Sequence, residues 1–169
     1  MPVLPPVAAR GHRRWAGPWG SALPLLALLA LAAVTALTAC AGRSTSVTDY
    51  GHKVARTALT LDSTVQIAVL DAQGVRDHKT LQAELDVSLE QVASDSSSTV
   101  TGFSAVLPPD EVAVMLQQRS EPVFSSTVSL LREARVRAGR GDDAGLAALL
   151  PRLKDADTRL TALRMSVSG

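Results

Sequence analysis

Leu146-Ala147-Ala148-Leu149-Leu150-Pro151-Arg152-Leu153-Lys154-Asp155-Ala156-Asp157-Thr158-Arg159-Leu160-Thr161-Ala162-Leu163-Arg164-Met165-Ser166-Val167 is the stretch whose reading decides the fold. Leu146, Leu149, Leu153, Ala156, Leu160, Leu163 and Val167 recur at steps of three and four without a miss. A helix turns once in about 3.6 residues, so these steps line one helix face, whereas a strand would need steps of two. Pro151 lies off the stripe. Its missing N–H and its ring predict a kink in the first turns, with the register carried through.

The same pattern extends upstream. Asp142 or Asp143 suits the cap of this last helix, and Arg140-Gly141-Asp142 reads as the stop of the one before it. That third helix starts at Pro109-Asp110 and buries Val112, Leu116, Val123, Phe124, Val128, Leu131 and Ala134. Pro122 lies within it and predicts a kink or a split near Glu121. A first helix is expected from about Val47 to Ala72, on the stripe Val47, Gly51, Val54, Ala58, Leu61, Val65, Ala68 and Ala72, with Gln73-Gly74 as its stop. Asp77 is expected to cap a second helix, whose stripe is Leu81, Leu85, Leu89 and Val92. From Ser94 to Ser104 that pattern weakens into serine and threonine, poor helix formers, with Val100, Phe103 and Val106 still spaced by three. The reading is all-α: an antiparallel four-helix bundle over 47–169, after an N-terminal signal-peptide helix.

The first 39 residues differ from the rest in kind. Arg10, Arg13 and Arg14 precede an apolar run from Leu25 to Ala36, and Leu37-Thr38-Ala39-Cys40 follows it. A basic start, a short apolar middle and small residues at the end define a secretory signal. An apolar run of about a dozen residues enters a bilayer but falls short of the roughly 20 needed for a span. Leu37-Thr38-Ala39-Cys40 resembles the lipobox of bacterial lipoproteins. The resemblance implies lipidation of Cys40, cleavage of a signal peptide at 1–39, a lipidated spacer at 40–46 and display on the outer side of the cytoplasmic membrane. A signal anchor that keeps the segment from Ala22 to Ala41 is the alternative, and a secreted form would follow if no anchor were kept. Arg13-Arg14-Trp15 raises twin-arginine export as a second route.

Beyond residue 39 the chain carries sixteen acidic and fourteen basic residues, a balance that supports no nucleic-acid surface. Cys40 is the one cysteine, so the domain has no disulfide. Both tryptophans fall in the signal, and Tyr50, Phe103 and Phe124 are the aromatics that remain. Leu107-Pro108-Pro109-Asp110, with the arginine-rich stretch ending at Arg140-Gly141-Asp142, resembles small secreted helical proteins of actinobacteria, and that resemblance carries over no catalytic residue.

Catalytic and metal motifs are missing. His52 lies three residues after Asp49, and His78 adjoins Asp77, but no HExxH, ExxH or cysteine ligand accompanies them, so both read as solvated side chains. Ser88 or Ser104 could meet a histidine only through the fold, since G-x-S-x-G is absent. Asp155 and Asp157, two apart on a helix, point in different directions. Gly139 and Gly141 flank Arg140 without a phosphate-loop lysine. The cluster Arg132, Arg135, Arg137 and Arg140 either meets anionic lipid or polymer, or complements the negative end of the third helix; Glu133 and Asp142-Asp143 dilute it, which favours the second. The expectation is a non-enzymatic, membrane-held binding or accessory domain without metal or cofactor, whose partner is another envelope protein. A small-ligand or lipid carrier with a site between helices is the alternative, and an envelope hydrolase the third choice.

Overall fold

The computed structural model describes residues 44–167. It is all-α, with no strand among the described residues. Five helices follow in order: α1 (Val47–Arg76), α2 (Gln82–Ser104), α3 (Glu111–Ala138), α4 (Asp143–Ala148) and α5 (Leu150–Val167). They belong to one structural unit, Gly42–Gly169. No helix among the described residues is long and apolar enough to cross a membrane.

The stripe of α1 is the common surface. Val54, Ala58, Leu61, Val65, Ala68 and Ala72 are all fully buried, and α1 packs against each of the other four helices. α2 touches only α1 and α3 among the described helices. Cross-helix pairs fix the relative directions. Gln82, at the start of α2, donates to the Ala138 carbonyl at the end of α3 at 2.7 Å. Arg152, early in α5, reaches Glu133, late in α3, at 2.8 Å. At the start of α1, Gly51 lies beside the Val167 carbonyl at the end of α5.

Tyr50, Phe103 and Phe124 come from three different helices and meet in the core. Phe103 stands 5.7 Å from Tyr50 in a tilted contact and 5.2 Å from Phe124 edge to face. The aromatics of the described residues are thus spent on one another, in geometries that their ring quadrupoles favour. The Tyr50 hydroxyl is buried without a hydrogen-bond partner.

Several local expectations need correction. α1 does not stop at Gln73-Gly74 but runs on to Arg76. Gly74 serves another purpose: a Cβ there would lie 2.0 Å from the Thr80 hydroxyl, so the glycine admits the returning chain. The left-handed residue that closes α1 is His78, at φ 55°. Around it, His78 N–H bonds the Val75 carbonyl at 3.0 Å and Lys79 N–H bonds Gly74 at 2.8 Å, which satisfies the terminal carbonyls. Asp77 does not cap α2; it belongs to the end of α1 and pairs with Arg76. The N-cap of α2 is Leu81, with no side-chain cap bond, and Leu81 is exposed instead of buried on the stripe. The tertiary bond of Gln82 holds that helix start in place of a cap.

Ser94 to Ser104 is helical throughout. The hydroxyls of Ser96, Ser97 and Thr101 turn back to the carbonyls of Val92, Ala93 and Ser97, so they are satisfied inside the helix that they were expected to weaken. Pro122 does not split α3. It sits on the exposed side, next to solvent-exposed Gln118 and Glu121 rather than in the packed seam. Pro151 has the larger effect: the last segment is divided into α4 and α5 at Leu149, yet Leu146, Leu149, Leu153, Ala156, Leu160 and Leu163 are all buried. The expected caps of the third and fourth segments are present. Asp110 accepts from Ala113 N–H at 3.0 Å and Asp142 from Gly145 N–H at 2.9 Å, with Gly141 left-handed at φ 63° before it.

Phe103→Ala is expected to lose about 3–5 kcal/mol, since it opens a cavity between three helices. Tyr50→Phe is expected to keep or gain about 1 kcal/mol, because it removes an unpaired buried hydroxyl. Chemical denaturation of both variants checks this pair. His78→Gly is expected to gain about 0.5–1 kcal/mol by relieving the left-handed backbone, less the extra freedom of glycine in the unfolded chain, whereas His78→Val should lose stability. Thermal unfolding separates the two.

Candidate functional site

Two places on the described residues combine unusual chemistry with access. The first is a cleft of about 520 Å3 where the start of α1, the first turns of α3 and the end of α5 meet. Its apolar wall is Val47, Val112, Met115, Leu116 and Val167, and its rim carries His52 and Arg119. The sequence puts Val112 and Leu116 on the buried stripe of the third helix. The structure corrects this: Val112 is 55% exposed and Met115 60%, and Leu116 is only partly buried. The α3 stripe becomes continuous core from Phe124 onward, through Val128, Leu131 and Ala134. Upstream of it, Ala113 and Ser120 are the residues of α3 that are buried.

The charges around this cleft are unequally satisfied. Asp110 is held by the Ala113 cap bond, and Glu121 accepts from Gln117 at 2.8 Å. Asp49 accepts from the Thr45 hydroxyl, which holds its carboxyl below the usual range, aided by Ser46 and the nearby His52 and Lys53. Arg119 and Arg56 form no ion pair among the described residues, and Arg56 lines an adjoining cleft that shares His52.

The second place is a carboxyl pair between α1 and α5. Asp62 is only 8% exposed, and its Oδ1 has no hydrogen-bond partner. It shares a hydrogen bond with Asp157, and Gln66 bridges the two, 3.5 Å from Asp62 and 3.4 Å from Asp157. Burial pushes the Asp62 carboxyl up to about 6; the Asp157 hydrogen bond and charge push the same way, and Arg164 and Gln66 oppose them. Asp62 can therefore keep its proton up to about pH 6. A shallow cleft lined by Gln66, Leu70, Lys154 and Asp157 lies alongside, but Asp62 does not line it.

Asp155 and Asp157 point in different directions, as their spacing predicts: Asp155 turns to Arg159 and Asp157 meets Asp62. The signal for Asp62 was present. It lies four residues after Ala58 and three before Val65, so a carboxyl stands on the face of a buried stripe.

The other candidates are dispersed. His52 and His78 are both exposed and lie at opposite ends of α1, roughly 40 Å apart at the helical rise. Ser88 donates to Asp71 at 2.7 Å, and Ser104 is exposed at the end of α2; no hydrogen bond joins either to a histidine among the described residues. Burial raises the Asp71 carboxyl and the Ser88 bond partly offsets it. No group of three histidine, cysteine, aspartate or glutamate side chains is placed to hold a metal among the described residues.

The arginine cluster separates into local pairs. Arg132 donates to Ser97 at 3.0 Å, Arg135 pairs with Glu90, and Arg137 with Glu133 and Asp142, both at 3.0 Å. The hydrogen bonds of Arg137 and Arg152 hold Glu133 below the usual carboxylate range. Arg140 has no such pair among the described residues and follows Gly139 in the turn that ends α3. Leu37, Thr38, Ala39 and Cys40 lie outside the described residues. No family model, curated protein or solved structure matches the chain.

Asp62 has its raised carboxyl only when folded, so its contribution to stability is full below about pH 4 and is lost as pH rises through about 6. Asp62→Asn keeps the hydrogen-bonding shape without the charge. It is expected to raise stability at pH 7 by roughly 1–3 kcal/mol and to flatten the fall between about pH 4 and pH 6, measured by urea unfolding. A variant less stable than the parent at pH 7 would show that Asp62 is held as a paired anion.

Proposed function

We infer that this chain is an exported lipoprotein, held on the outer side of the cytoplasmic membrane by lipid on Cys40, whose helical domain binds another envelope component or serves as an accessory subunit. The observation that carries the reading is the order of the N-terminal zones: arginines, an apolar run too short for a comfortable span, then Leu37-Thr38-Ala39-Cys40. The expected partners are the membrane and an envelope protein, and nucleic acid is not among them. In this reading α1, α2, α3 and the α4–α5 segment form an antiparallel four-helix bundle over 47–169. The cross-helix pairs Gln82–Ala138 and Arg152–Glu133 and the neighbours Gly51 and Val167 support that arrangement.

A lipid or small-ligand carrier is the second reading, favoured by the apolar cleft beside Val47, Met115 and Leu116.

Cys40→Ala is expected to abolish fatty-acid labelling and block lipoprotein-type cleavage in growing cells, read by labelled palmitate and by the mass of the membrane-extracted chain. Continued labelling of the variant rules out Cys40 as the anchor and favours a retained signal segment.

A further inference from the structure

We propose that the cleft between α1, α3 and α5 takes one acyl chain of an anionic membrane phospholipid, with Arg119 at its rim meeting the phosphate. This deepens the reading above and rests on its membrane anchor. The argument starts from position. Val47, which lines the cleft, lies seven residues after Cys40, so it stands no more than about 25 Å from the anchor even with the chain fully extended. An occupant drawn from the bilayer is therefore within reach without any stalk.

The second part is the uncovered apolar surface. Val112 and Met115 are more than half exposed on a helix whose later turns are sealed in the core, so an apolar wall is left open where the α3 stripe begins. A volume of about 520 Å3 falls in the range of ligand clefts, roughly 300–1,000 Å3. The third part is charge. No carboxylate lines the cleft, whereas Arg119 does, and Arg119 forms no ion pair among the described residues. A guanidinium is suited to bidentate bonding of a phosphate. An apolar wall with an unmatched cation at its rim is complementary to an anionic amphiphile and discriminates against a zwitterionic one.

The test uses the full-length chain reconstituted into phosphatidylglycerol vesicles that carry a photoactivatable acyl chain, and in parallel into phosphatidylcholine vesicles with the same label. Crosslinked peptides are mapped by mass spectrometry. The expected result is phosphatidylglycerol adducts on Val112 to Leu116, at least about fivefold above those from phosphatidylcholine, and at least about fivefold above those on exposed Val87 at the start of α2. Arg119→Gln and Arg119→Glu should each remove the preference between the lipids while the helical circular dichroism stays unchanged. Equal labelling by both lipids, labelling confined to residues before Ser44, or a chain-to-chain crosslink through Met115 in place of lipid adducts would overturn the proposal. The Cys40 peptide in the same digest reports the anchor separately. Cleft adducts with an unmodified Cys40 would sink the lipoprotein reading and keep the cleft; a lipidated Cys40 without cleft adducts would do the reverse.

Discussion

The buried stripe of α1 is the constraint on which the rest of the structure depends. Val54, Ala58, Leu61, Val65, Ala68 and Ala72 lose all solvent contact, and every other described helix packs on α1. The alternation of alanine with valine and leucine decides how close those neighbours come: small positions let backbones approach, and larger ones interlock between them. With no disulfide, stability has to come from this packing. The ring contacts of Tyr50, Phe103 and Phe124 join α1, α2 and α3 near the start of α1, and Leu146, Leu153 and Leu160 join the last two helices to the same core.

A domain packed on one central helix has consequences for function. Its apolar interior is used in holding the helices, so recognition falls to places where a stripe outruns its cover. The first turns of α3 are such a place, and they face the start of α1, the end nearest Cys40 in sequence. Asp62 is the opposite case, a carboxyl that the packing encloses beside half-buried Asp157. Burying it costs stability when it is charged, and it makes the α1–α5 contact sensitive to pH. The arginines at the end of α3, Arg132, Arg135 and Arg137, contribute little to either. Their short-range pairs with Ser97, Glu90, Glu133 and Asp142 tie the end of α3 to its neighbours.

Helix positions and core faces were legible in the sequence because burial imposes a period, and the period survives Pro151 and the serine-rich half of α2. Caps were legible where a side chain does the capping, as at Asp110 and Asp142. They were not legible where tertiary structure does it. Gly74 looks like a stop, but its missing side chain makes room for Thr80, and the left-handed position falls to His78. Likewise α2 begins at Gln82 because of a bond to the far end of α3, which no local pattern contains. The cleft was hidden for a related reason. Periodicity marks Val112 and Leu116 as one face of a helix, but whether that face is covered depends on where α5 ends relative to α3. The meeting of Asp62 with Asp157 needed the same three-dimensional register, although the carboxyl on the α1 stripe already pointed to an unusual site.

Amide hydrogen exchange of the full-length chain in phosphatidylglycerol vesicles, set against phosphatidylcholine vesicles, tests most directly the idea of a rigid core whose function lies at one open end. The expected result is slower exchange in the anionic vesicles at the start of α1 and over Val112 to Arg119, with the amides from Val54 to Ala72 equally and strongly protected in both. Unchanged exchange at the cleft, or loss of protection between Val54 and Ala72 on lipid binding, would contradict it.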